Sequence, residues 1–178
     1  MRKIKIFVSY SHKDEKWKQR FEEVLKSALK NQADLQWWHD GEVGVSDDWH
    51  AEIQAALHQS DLYVCLVSPA FLASDYIIDH ELPEIVRRRE QKLAKIACLY
   101  LRESLVNRDE YAIKVDLGDG ATEIRKLTHY QGLNQPKLPI AGIDGDEKQN
   151  AALNQAADNL LNLIHKLKPK PLAAREPR

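Results

Sequence analysis

The chain has 178 residues, 43% of them hydrophobic and 30% charged, with a formal net charge of −1. That length suits one domain with its own core, and the composition excludes a disordered or fibrous chain. The near-neutral balance gives no overall electrostatic drive toward nucleic acid or an anionic membrane, and no apolar run approaches the ~18 residues of a membrane span.

The first ten residues, MRKIKIFVSY, lack the apolar core and cleavage site of a signal peptide, so a cytoplasmic chain is expected. Ile4, Ile6 and Val8 alternate, which predicts a first strand. From Asp14 to Leu29 the apolar residues Trp17, Phe21, Val24, Leu25, Ala28 and Leu29 recur at helical spacing, a helix with one buried face. ADLQWW predicts a short second strand. HDGEVGVSDD, with two glycines and four acids, predicts an exposed loop. Ser46 or Asp47 is placed to cap the next helix, whose face is Trp49, Ile53, Ala56 and Leu57.

LYVCLV, Leu62 to Val67, and IACLYL, Ile96 to Leu101, are apolar throughout. Short unalternating runs suit strands covered on both faces. Cys65 and Cys98 lie inside these runs and read as reduced core residues, since a disulfide framework needs more cysteines. A helical stretch ending in RRREQK, Arg87 to Lys92, lies between the two runs. Residues 102–145 hold only a weak candidate for a fifth strand. The last helix carries a stripe of Leu153, Ala156, Ala157, Leu160, Leu161, Ile164 and Leu167. We place one domain over residues 1–168 and a Pro-rich basic tail or linker stub over 169–178.

Strands alternating with helices predict an α/β class: a flavodoxin-like, three-layer fold with a parallel sheet of about five strands and helices on both faces. Ligands of such sheets bind beyond the carboxyl ends of the strands. Ser9–Asp14, His39–Asp47 and Ser68–Ser74 each follow a strand and should gather there.

Several chemistries are set aside. No glycine-rich phosphate cradle follows the first strand. HELPE, His80 to Glu84, lacks the second histidine of a helical zinc site, so no metal centre is expected. G-x-S-x-G is absent, and Ser9, Ser11 and Ser68 read as loop-closing or capping hydroxyls rather than nucleophiles. What remains is an edge rich in hydroxyls, aromatics and acids: Ser9, Tyr10, Ser11, Asp14, Asp40, Trp49, Ser74, Tyr76 and Glu81. That mixture suits a sugar-bearing ligand with a flat base. Tyr10 and Tyr76 are open between packing and base stacking, and Trp49 between the core and a ligand. Glu81, read alone, is an exposed helical acid.

Three motifs then fall in order. IFVSYSHKDEKW resembles the first box of the Toll/interleukin-1 receptor (TIR) domain, WWHDGEVGVSDDWHAEIQAALHQSD its second strand, BB loop and following helix, and LYVCLVSPAFLASDYIIDHEL its third strand and glutamate segment. Many bacterial TIR domains cleave NAD+ at the nicotinamide–ribose bond. The resemblance implies a hydrolase of this kind, an NAD+ nucleosidase serving bacterial immunity, antiviral defence or signalling, with NAD+ as substrate and no other cofactor. It implies Glu81 as the catalytic residue, with Ser9, Tyr10, Ser11, His12, Asp40, Trp49, Ser74, Tyr76 and Ile77 around the substrate. It also implies self-association through the BB loop, His39 to Trp49, and a sensor or effector partner. Two departures stand out. Ile77 occupies the place, four residues before the glutamate, where many TIR enzymes carry a tryptophan, and Pro83 predicts a helix that starts late or is kinked just after Glu81. The alternative reading is a non-catalytic adaptor of the same fold.

Overall fold

Ile4–Ser9 forms β1, and its neighbours in space are Leu35–His39 (β2) on one side and Leu62–Val67 (β3) on the other, both parallel to it. This is a computed structural model, and it describes residues 3–30, 32, 34–39 and 48–167. The expected loop segment 40–47, the candidate caps Ser46 and Asp47, and the tail 169–178 lie outside the described residues. Lys95–Tyr100 (β4) pairs in parallel with β3. Ile113–Asp116 (β5) and Thr122–Arg125 (β6) form an antiparallel hairpin of their own, and Gln131–Gly132 (β7) closes the main sheet, whose order is β2-β1-β3-β4-β7. This is the parallel five-strand sheet expected from the sequence, in flavodoxin-like order.

Helices cover both faces. Against one lie Glu15–Leu29 (α1) and Asp146–Leu167 (α5), which bury Phe21, Leu25, Leu153, Leu160 and Ile164 on Ile6, Val8, Val64, Leu66 and Leu99. Against the other lie Trp49–Gln59 (α2) and Leu82–Glu90 (α4), which bury Ile53, Leu57, Ile85 and Val86 on Phe7, Tyr63, Cys65, Cys98 and Tyr100. Every residue of β3 is buried, as its unalternating apolar run requires. No helix among the described residues is long and apolar enough to cross a membrane.

The fifth strand is only two residues long. Gly132 in it pairs with Cys98, and a side chain there would meet the Asn134 carbonyl oxygen at 2.6 Å. The segment before it was illegible because β5 and β6 pair with each other, outside the main sheet, and show four residues each. The crossover from β3 to β4 is also more broken than its sequence suggests. Pro69–Leu72 (α3) is followed by a wide π turn, Ile77–Glu81, and only then by α4.

Cys65 and Cys98 sit side by side on β3 and β4, both buried and both free thiols. A hydrogen bond with Cys98, complete burial, and the charges of Cys98 and Glu81 push the Cys65 thiol well above its ordinary value. Thiolate is the reactive form. We therefore expect neither cysteine to be alkylated by iodoacetamide at pH 8 in the folded chain, and both to react in denaturant. Rapid labelling of the folded chain, read as a mass shift, would contradict this packing.

Candidate functional site

Ser9 ends β1 where the strand order reverses. The connection leaving β1 passes to the α1 face and the one leaving β3 to the α4 face, so a crevice opens between their carboxyl ends. Into this place the crossover brings Glu81. The residue is 3% exposed, and its carboxylate accepts the hydrogen bond that the Ser9 hydroxyl donates. The two residues are 72 positions apart, so the contact is made by the fold alone.

The local reason lies in Pro83. It has no N–H to donate back along a helix, and it is tolerated in the first turn of α4, where that donor is not needed. The chain reaches α4 through a turn wider than an α-helix, closed by the Leu82 N–H on the Ile77 carbonyl. This extra width lets Ile77, Glu81 and Leu82 all point inward. The isoleucine and leucine enter the core, and the acid meets β1. Glu81 is thus not the exposed helical acid that its sequence, taken alone, suggests.

Beside this turn stands a cluster of four rings. Trp49 and Tyr76 lie with centroids 4.7 Å apart, His80 is 4.9 Å from Tyr76, and His50 is 5.2 Å from His80. His50 Nδ1 is 2.9 Å from the Tyr76 hydroxyl, which fixes the tyrosine ring. Trp49 is 45% exposed and so departs from the core face on which its spacing put it. It opens α2, whose first turn is exposed, and only the later turns, through Ile53 and Leu57, reach the core. Ile77 does not stand over the site in place of the family's tryptophan; it is a core residue. The larger rings at this edge are Trp49, exposed and 28 positions upstream in the chain, and the adjacent Tyr76, which is half-buried.

The remaining sequence candidates divide. Tyr10 is 4% exposed, its hydroxyl donates to Glu15 at 2.7 Å, the His12 ring lies parallel to it at 5.6 Å, and the Lys18 ammonium sits 4.9 Å from its ring centroid. Tyr10 therefore packs, and in this conformation it offers no stacking face to a base. Ser11 caps the 3₁₀ turn His12–Asp14 by accepting from the Lys13 N–H at 3.4 Å, while His12 itself is exposed. Ser74 is half-buried and accepts from the Ile77 N–H at 3.4 Å, opening the wide turn. Asp40 lies outside the described residues. Partial burial opposes ionisation of Glu15, but the Tyr10 hydrogen bond and Lys18 outweigh it and hold its carboxyl below the ordinary value.

Two groupings escaped the sequence reading. His50 and His80 belong to the ring cluster, and their positions beside Trp49 and one turn from Tyr76 were the available signal. Asp14 is buried at the same edge, where it accepts a hydrogen bond from the Ser68 hydroxyl and pairs with Arg102 at 3.3 Å. Ser68 also accepts from the Phe71 N–H at 3.0 Å, the capping role its position suggested. Arg102 follows an apolar strand directly, which is a weak signal by itself.

A family model described as the TIR domain matches residues 6–128, more than half of the chain. The chain belongs to the TIR domain family. Among curated proteins it resembles an uncharacterized protein of Sinorhizobium fredii, y4lF, with 36% identity over 97 residues. The matched region is 54% of this chain and 30% of that relative, so this TIR domain spans a minor part of the relative's length.

Within the TIR domain the Ser9–Glu81 contact ties the sheet to the crossover. Ser9→Ala removes a buried donor to a carboxylate, which costs about 1.5–3 kcal/mol. Urea unfolding should register that loss, and an unchanged midpoint and slope would mean that the contact contributes nothing.

Proposed function

We propose that this TIR domain cleaves NAD+ at the nicotinamide–ribose bond, releasing nicotinamide and leaving ADP-ribose or a cyclic ADP-ribose. The observation that carries the reading is the placement of Glu81 against the Ser9 hydroxyl at the carboxyl end of β1. Nicotinamide is a cationic pyridinium in NAD+ and leaves as a neutral molecule, so departure needs no general acid. A glycosidase expelling an alkoxide needs a second carboxyl for that purpose. One carboxylate suffices here. It accepts hydrogen bonds from the ribose hydroxyls, exchanging the Ser9 hydroxyl for them, and it stabilises the positive charge that grows on the ribose as the ring departs. Trp49 and Tyr76 offer aromatic surface for a flat base. Water capture of the ribosyl cation gives ADP-ribose, and capture by an atom of the same ligand gives the cyclic product. The test is incubation of concentrated protein with NAD+, with and without a crowding agent, followed by chromatography for nicotinamide. Absence of nicotinamide in both arms defeats the proposal.

The activity would serve cytoplasmic bacterial immunity or signalling, with assembly driven by self-association and by a sensor or effector partner. In that assembly the acids of the loop from His39 to Trp49 meet a basic surface on a second copy, and Arg87–Arg89 is the candidate. Arg87 is engaged by Glu84 at 2.7 and 2.8 Å, and Arg88 by the Tyr63 hydroxyl at 2.7 Å and the Ser60 carbonyl at 3.0 Å. Arg89 makes a looser contact, 5.9 Å over the Tyr130 ring. The pairing therefore rests on Arg89. Arg89→Glu should lower the mass measured by light scattering at high concentration, and an unchanged mass removes this surface from the assembly.

The near-complete cover of Glu81 favours a second reading, in which the carboxylate is structural and the domain is an adaptor. An adaptor releases no nicotinamide in either arm of the same incubation.

A further inference from the structure

The Asp14–Ser68–Arg102 grouping plays no part in breaking the glycosidic bond, yet it stands at the same sheet edge. Asp14 is 1% exposed and holds the Arg102 guanidinium at 3.3 Å, while the arginine side chain remains 43% exposed. A buried carboxylate that orients a half-exposed arginine fixes a planar fork of donors toward solvent, the geometry that suits phosphate oxygens. The chain neighbours of this grouping, Pro69 after Ser68 and Glu103 after Arg102, line a hollow of about 370 Å³ completed by Leu72, Ser104, Leu105 and Tyr111. Its walls are largely apolar with one aromatic ring, and Glu103 supplies an acceptor at the rim. Leu105 is 58% exposed, a large apolar side chain left uncovered beside that hollow.

From β1, which carries Ser9, to β4, which ends just before Arg102, is two strand spacings, about 10 Å. A ribose at Glu81 and a diphosphate at Arg102 are therefore within the reach of one dinucleotide. We infer that Arg102 and the adjoining hollow form the subsite for the adenosine diphosphate half: Arg102 binds the phosphates, Leu72, Leu105 and Tyr111 sandwich the purine, and Glu103 accepts from its exocyclic amine. The inference rests on the dinucleotide reading for its substrate, but it is tested by binding and not by cleavage.

The experiment is titration of the full chain with ADP, which carries no nicotinamide, by calorimetry. Wild type binds ADP, Arg102→Gln and Leu105→Asp each weaken it at least tenfold, and Leu93→Asp, an equally exposed leucine at the opposite edge of the sheet, binds as wild type does. Addition of NAD+ to the Glu81→Gln chain displaces the ADP, which separates a subsite of the dinucleotide site from an independent nucleotide site. Failure of wild type to bind ADP, unchanged affinity in Leu105→Asp, or ADP that NAD+ does not displace overturns the inference. Should Arg102→Gln strand Asp14 and unfold the chain, Leu105→Asp carries the test alone, because its side chain is exposed. ADP bound and lost as described, with no nicotinamide released, upholds the subsite and defeats the proposed cleavage. Nicotinamide released with no ADP binding does the reverse.

Discussion

Glu81→Gln should all but abolish nicotinamide release from NAD+ while the chain remains folded. Glutamine keeps the length of the side chain, and its carbonyl oxygen can still accept the Ser9 hydroxyl hydrogen, so the wide turn and the buried contact survive. What is lost is the negative charge that, in the proposed cleavage, would face the ribose as nicotinamide departs. Removal of one preorganised electrostatic partner costs about 10²–10³-fold in rate, and more where that partner is the main stabiliser of the developing charge. The check is nicotinamide production by the two chains at equal concentration, alongside circular dichroism and urea unfolding to show equal folding. A Glu81→Gln chain that releases nicotinamide as fast as wild type makes Glu81 a structural residue.

Phe7→Ala has the largest expected effect on stability. Phe7 is fully buried in β1, between β2 and β3, with its ring stacked on Trp38 at 4.7 Å and edge-on to Tyr63 at 6.3 Å. Truncation removes the transfer energy of the ring and leaves a cavity that three strands and their helices cannot collapse into, at a cost of about 3–5 kcal/mol. A domain of ordinary stability holds about 5–15 kcal/mol in all, so the variant should unfold at a far lower urea concentration. The same strand ends in Ser9, so this variant also loosens the floor beneath Glu81. A loss below 1 kcal/mol would contradict the central role given to β1.

The strands with strong local signals were legible. β3 and β4 announced themselves by apolar runs with no polar interruption, because burial on both faces leaves no position for a polar side chain. The stripe of α5 did the same at helical spacing. The hairpin of β5 and β6 and the two-residue β7 were not legible. Four-residue strands carry too few alternations to separate from turns, and β7 is defined by its partner Cys98 more than by its own sequence. At the site, Ser9 and Glu81 could be named only through their motifs, since a contact across 72 positions leaves no local trace. Trp49, left open between the core and a ligand, proved exposed because periodicity does not reveal that the whole first turn of α2 is uncovered. Pro83 pointed to a late helix start, and α4 does begin at Leu82, but nothing in the sequence showed that the π turn before it carries Glu81 inward. Arg102 and Asp14 form a pair only because β1 and β4 end at the same edge.

The most direct measurement of the central claim is the dependence of kcat/KM for NAD+ on pH. If one carboxylate acts without a general acid, the profile has no falling limb at high pH, since no second group has to remain protonated for nicotinamide to leave. A bell-shaped profile would mean that a protonated partner assists departure of nicotinamide, and a chain that releases none at any pH would leave no cleavage to explain. Either result contradicts a lone carboxylate at the carboxyl end of β1 as the source of the chemistry.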